Sequence, residues 1–171
     1  MLTGVARLTK DGQSVSGDTF SMINLPSGEL LMALSDGMGS GTSAFDDSKN
    51  VIELLEQMSE AGFSQTSAIR LINSLYVSDQ EFENYATLDI SLINLYKGEC
   101  SFLKNGAVGT YVLNQGKMYC IEGQSLPMGV VSDAEPYIGK MSLYPGDYVI
   151  MMTDGAVSYT HLRAHETGRN L

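Results

Sequence analysis

The period of the hydrophobic pattern changes twice along this chain, and that change constrains the fold more than any other feature. Residues 4–9, 20–25 and 29–34 are short apolar runs of strand length, the last two joined by Pro26-Ser27-Gly28, a hairpin-turn signal. A helical period then takes over. Val51, Ile52, Leu54, Leu55 and Met58 share one broad face after start signals at Asp46, Asp47 and Ser48, with Gly62 as the stop. Ile69, Ile72, Leu75 and Tyr76 mark a second helix, from about Ser64 to about Ser78. From Leu88 the period drops to two. Residues 88–96 and 100–103 are joined by Lys97-Gly98, residues 111–113 and 118–121 by 114–117, and two more runs follow at 137–143 and 148–152. Strands, two helices and then hairpin-linked strands leave no strand–helix–strand alternation. The pattern predicts an α+β fold of antiparallel sheets with helices packed on a face.

The 171 residues carry 20 acidic and 10 basic side chains, a net charge of −10. This argues against bare nucleic acid or an anionic membrane surface as partner. No apolar run approaches the roughly 20 residues of a membrane span, and no charged-then-apolar leader opens the sequence. Cys100 and Cys120 are too few for a disulfide scaffold and suit a reducing cytosol. The end of the chain stands apart: residues 157–167 read as the translation of a transposase-type library adapter, so residues 156–171 are expected to be a non-native tail and 1–155 the domain. Both histidines, His161 and His165, fall in that tail, as do Arg163 and Arg169. What remains has eight Lys and Arg, nineteen Asp and Glu, and no histidine. A Ser-His-Asp or Cys-His hydrolase is thereby excluded, as is a His-ligated zinc site. Catalysis in such a domain falls to carboxylates, backbone and hard cations.

Three aspartates sit in loops or at the ends of apolar runs, each beside small residues: Gly17-Asp18, Ser35-Asp36-Gly37 and Thr153-Asp154-Gly155. A strand end holds a side chain rigidly, and glycine lets a ligand approach the backbone. Carboxylates brought together at neutral pH either share protons or bind a cation. An all-oxygen donor set selects Mg²⁺ or Mn²⁺, and two such ions about 3.5–4 Å apart suit phosphoryl chemistry. Spacing alone leaves other readings open. An isolated Asp-Gly is most often a turn, and Asp18 fits a loop cap. Asp36 among Gly37, Gly39 and Gly41 also fits a phosphate-cradling nest or a nucleophilic aspartate, although the lysine of a P-loop is missing.

Five segments in this order carry a resemblance: Val15-Ser16-Gly17-Asp18-Thr19-Phe20-Ser21, Ser35-Asp36-Gly37-Met38-Gly39-Ser40-Gly41, Ala86-Thr87-Leu88-Asp89, Leu126-Pro127-Met128-Gly129 and Met151-Met152-Thr153-Asp154-Gly155. Together they resemble the PPM-type, protein phosphatase 2C-like Ser/Thr phosphatases, and most of all the sporulation members of that family. The likeness covers about residues 5–155. It implies a four-layer sandwich, two antiparallel sheets flanked by helices, incomplete at its C-terminus. It further implies two Mn²⁺ or Mg²⁺ ions, with Asp36 bridging both, the Gly37 carbonyl on one, Asp154 on the other, and Asp18 beside the pair. Asp36 and Asp154 would be the catalytic acids, and Asp89 an acidic position near the site, with a solvent-facing strand-edge aspartate as the alternative. Phosphoserine hydrolysis would then proceed by in-line attack of metal-bound hydroxide.

The resemblance also carries expectations about context. The substrate would be a phosphoserine protein of the anti-anti-sigma-factor kind, with no nucleic acid and no membrane contact by this domain. The domain would lie on the cytoplasmic side of a membrane-anchored protein. The helices within 45–77 would serve as a regulatory switch and homodimer contact. A late helix, a further Asp-rich metal motif and a closing strand would follow residue 155 in the family, so weak or absent activity is expected without them. No basic residue near the motifs stands out as a phosphate clamp. Two other functions fit the same residues: a non-catalytic binding scaffold of this fold, and an aspartyl-phosphate phosphotransferase using Asp36.

Overall fold

Local chemistry sets most of the elements. The structure, a computed structural model, describes residues 1–7, 16–39, 42–78 and 85–156. Strands β1 (Asp18–Asn24) and β2 (Glu29–Asp36) form the hairpin that Pro26-Ser27-Gly28 signals, with Gly28 at φ 83° where a side chain would be strained. Helix α1 (Thr42–Glu60) ends at Gly62, φ 87°, and α2 (Gln65–Ser78) starts on Ser64, whose Oγ accepts from Ser67 N–H at 3.2 Å. Six strands follow: β3 (Leu88–Asn94), β4 (Glu99–Asn105), β5 (Thr110–Asn114), β6 (Lys117–Ile121), β7 (Tyr137–Ser142) and β8 (Tyr148–Ile150). Gln115 and Gly116, at φ 49° and 77°, close β5 onto β6 with both central turn residues left-handed, which matches the twist of the paired strands.

Two sheets result, ordered β1-β2-β3-β4-β7 and β6-β5-β8, with every strand pair antiparallel. The larger sheet is buried on both faces. Leu31, Ala33, Leu88, Ile90 and Leu103 pack on one side against Val51, Leu55, Ile69 and Ile72 of the helices. Leu30, Ile93, Cys100 and Phe102 pack on the other against Val112 and Val149 of the smaller sheet. Each fully buried aliphatic or aromatic side chain contributes about 1.5–3 kcal/mol. Two antiparallel sheets with helices are the α+β architecture expected. The described residues supply the helix, sheet and sheet layers. On the far face of the smaller sheet Met118, Tyr148 and Ile150 are exposed.

Two sequence expectations are corrected. Residues 4–7 form no strand, and 8 and 9 lie outside the described residues. Arg7 is anchored instead: its Nη2 donates to the carbonyls of Ser16 (3.2 Å) and Asp18 (2.8 Å), and its guanidinium lies 5.8 Å from the Phe45 ring centre. Helix α1 begins at Thr42, ahead of Asp46. Asp47 and Ser48, expected as start signals, are buried within the helix, where the Asp47 carbonyl accepts from Tyr76 Oη (2.7 Å) and Ser48 Oγ bonds Thr19 Oγ1 (2.8 Å). Of the expected tail, residues 157–171 lie outside the described residues.

Candidate active site

Asp36 is the last residue of β2 and Asp18 the first of β1, and the antiparallel register sets them directly opposite. Like charges so placed are destabilising, so the fold assembles this pair against a cost. Asp36 is held from its backbone: its N–H donates to Thr87 Oγ1 (3.1 Å), its carbonyl accepts from Thr87 N–H (2.9 Å), and Ser35 Oγ donates to the Thr87 carbonyl (2.8 Å). Gly37 pairs with Ala86, which pairs in turn with Met128. The 86–89 and 126–129 segments therefore brace the acidic turn. Gly37 is glycine for steric reasons, since a Cβ there would lie 1.9 Å from the Ala44 carbonyl oxygen.

Asp154 arrives from the smaller sheet, opening a helical turn four residues after β8 closes. Its neighbour Thr153 donates through Oγ1 to Asp18 Oδ2 at 3.1 Å, and Ser16 Oγ reaches the same oxygen at 3.2 Å. Burial, then the charges of Asp18 and Asp154, and then hydrogen bonds with both raise the Asp36 carboxyl from 3.8 to about 7. The three aspartates picked out in the sequence thus converge. Asp36 and Asp154 line a cleft of about 90 Å³ together with Leu34, Thr87, Asp89 and Ala107. A larger groove, about 550 Å³, runs between α1 and α2 past Leu54, Leu75 and Tyr76, but among the described residues Glu53 is the one acid lining it, whereas Asp36, Asp89 and Asp154 line the smaller cleft.

Asp89 is not the solvent-facing alternative. β3 is a central strand, and Asp89 is 2% exposed, ion-paired through Oδ2 to Lys104 Nζ at 2.7 Å and accepting from Thr110 Oγ1 at 2.6 Å. Burial raises its carboxyl, an effect that Lys104 and Thr110 oppose. Lys104 and Arg7 are the basic residues that the sequence reading missed beside the site. Lys104 was legible from register, because the turn at 95–98 sets it opposite Asp89 across β3 and β4. Asn73 was missed too. Fully buried on α2, it donates to the Val131 (2.8 Å) and Ser132 (3.0 Å) carbonyls and accepts from Gly129 N–H (2.9 Å), clamping the loop that braces Gly37.

The donor set fits a hard divalent cation. It is all oxygen, and its central carboxylate is held protonated to about pH 7 by burial first and then by its acidic neighbours, a cost that a bound cation relieves. A Cβ at Gly17 would sit in van der Waals contact with the Gly37 carbonyl oxygen (3.4 Å) and Asp36 Oδ1 (3.6 Å), so glycine leaves both oxygens uncovered from that side. Among the described residues, His, Cys, Asp and Glu side chains do not by themselves close a three-ligand cage.

Comparison with known proteins gives a consistent result. A family model described as stage II sporulation protein E matches residues 26–169. Stage II sporulation protein E of Priestia megaterium is 37% identical over 153 residues, covering 90% of this chain and 26% of that protein. The Bacillus subtilis (strain 168) protein is also 37% identical over 153 residues, covering 90% of this chain and 18% of its own length. The chain thus spans about a quarter or less of these relatives. Among solved structures, the PP2C phosphatase domain with a fragment of the regulatory domain of SpoIIE from Bacillus subtilis superposes with a TM-score of 0.79 at 36% identity, over 88% of this chain and 44% of that one. RsbX in complex with magnesium superposes with a TM-score of 0.72 at 26% identity, over 86% and 71%. With its two antiparallel sheets and helices arranged as in the SpoIIE phosphatase domain, this chain belongs to the stage II sporulation protein E family.

Proposed function

We propose that this chain is the catalytic domain of a metal-dependent protein serine/threonine phosphatase, which converts a phosphoserine protein and water into the serine protein and inorganic phosphate. The observation that carries the reading is the convergence of Asp18, Asp36 and Asp154, in which burial and then the two neighbouring charges raise Asp36 to about 7. Family membership and the magnesium-bound RsbX neighbour support it. In this reading Asp36, Asp154 and the Gly37 carbonyl would hold two Mn²⁺ or Mg²⁺ ions, with Asp18 beside them. Bound there, the ions would supply Lewis acidity and activate a water for attack on phosphorus. The chain's own part is placement. Thr87 fixes the Asp36 backbone, Thr153 and Ser16 fix Asp18, and Leu34 and Met152 line the cleft with apolar surface.

The substrate proposed is an anti-anti-sigma factor phosphorylated on serine, a choice resting on the family. An acidic domain of net charge −10 favours a partner that brings basic contacts around its phosphate. The helices within 45–77 are the proposed homodimer contact, residues 1–155 the phosphatase domain, and a membrane-anchored protein with this domain on its cytoplasmic side the proposed setting. Among the described residues no helix is long and apolar enough to cross a membrane. The direct test is phosphate release from a phosphoserine peptide. Release should require Mn²⁺ or Mg²⁺, fall at least about a hundredfold in Asp36→Ala, and leave no covalent phosphoenzyme. Release indifferent to Asp36, or a trapped aspartyl phosphate, would contradict the reading.

A further inference from the structure

Lys104 is fully buried, and its three contacts are all at hydrogen-bond distance: Asp89 Oδ2 (2.7 Å), Thr110 Oγ1 (2.8 Å) and the Val108 carbonyl (2.8 Å). Stability alone does not account for this arrangement, because a buried ion pair replaced by apolar groups of similar volume often leaves a protein as stable or more so. Position does. Gly106, Ala107 and Val108 form one wall of the acidic cleft, and Asp89 lines it as well. The wall is fastened at both ends. Ser125 Oγ donates to the Lys104 carbonyl (2.7 Å) and Gly106 N–H to the Ser125 carbonyl (3.1 Å), while Lys104 Nζ holds Val108. Gly106, at φ 63°, leaves no room for a side chain, since a Cβ would lie 2.5 Å from Pro127 Cγ. Asp89 Oδ1 has no hydrogen-bond partner among the described residues, so the pair leaves one acceptor unused.

We propose that the Lys104–Asp89 pair is a positioning element of the cleft: Lys104 fixes the Gly106–Val108 wall and cancels the charge of Asp89, so that this buried carboxylate does not repel an incoming phosphoryl group. The role rests on the phosphatase reading, whereas the placement of the wall does not. Asp36 and Asp154 already line the cleft, and a third carboxylate left uncompensated there would oppose a phosphate dianion. Lys104 and Asp89 are positioning residues, because nothing in the geometry brings either to the reacting atoms.

The test compares the full chain with Asp89→Asn/Lys104→Met, and with Asp89→Leu/Lys104→Met should the first variant fold poorly. Backbone amide exchange over residues 105–110, followed without metal, should speed up at least about tenfold while Tm stays the same or rises. With Mn²⁺ and a phosphoserine peptide, kcat/KM should fall about tenfold to a hundredfold. Lys104→Met alone should raise KM beyond the double variant, because it strands the Asp89 charge. Unchanged exchange and unchanged kcat/KM at equal Tm would reduce the pair to a structural one and overturn the proposal. If neither this chain nor one that restores the segments expected after residue 155 releases phosphate, the phosphatase reading fails, and the exchange experiment still decides whether Lys104 holds the wall.

Discussion

Asp36 is where the competing effects in this protein meet. Its unfolded carboxyl ionises near 3.8 and its folded one at about 7, because burial and two neighbouring aspartates disfavour the charge. Below about pH 4 both states hold the proton and the group contributes nothing to the pH dependence. Between about 4 and 7 the folded state binds more protons than the unfolded, so stability falls as pH rises through that window. In chelator, Tm should decline from pH 5 to pH 8 more steeply in the wild type than in Asp36→Asn. Added Mn²⁺ should remove most of the difference. Parallel curves for the two proteins would contradict this placement of the charge.

Among the elements, the junction between β2 and α1 is under the tightest constraint. Gly37 is pressed against the Ala44 carbonyl, so Gly37→Ala must push α1 away from the sheet, at a cost of about 1–3 kcal/mol in chemical denaturation. Its carbonyl should also shift, weakening cation binding. A variant as stable as the wild type would show that the junction yields. The elements themselves were largely legible in the sequence, because the β1–β2 and β5–β6 turns and the helix stops are local chemistry. Two things were not. Asp47 and Ser48 carry helix-start composition but serve as buried polar contacts to α2 and β1, a tertiary use that local pattern does not encode. Asp89 stayed ambiguous because β3 is buried on both faces at its start, and alternation then says nothing about which side is wet. The three acids of the site were picked out by their small neighbours and strand-end positions. Joining Asp154 to the other two required the second sheet, a contact across more than a hundred residues.

At the scale of the whole molecule, the site lies where the two sheets meet, so anything that reorients the smaller sheet moves Asp154 relative to Asp36. The far face of that sheet carries Met118, Tyr148 and Ile150 exposed, with Tyr111 and Leu113 half-buried among them. An apolar patch of this kind marks a surface that binds or aggregates. Met118→Lys/Ile150→Lys should lower hydrophobic-dye fluorescence and self-association with little change in Tm. Unchanged dye binding would place the exposed apolar surface elsewhere. The central claim is that these carboxylates form one divalent-cation site, and titration calorimetry with Mn²⁺ tests it most directly. The account predicts binding heat in the wild type, stronger at pH 8 than at pH 6 because protons compete at Asp36, and abolished in Asp36→Ala. Heat that survives the loss of Asp36, or no heat from the wild type at either pH, would contradict it.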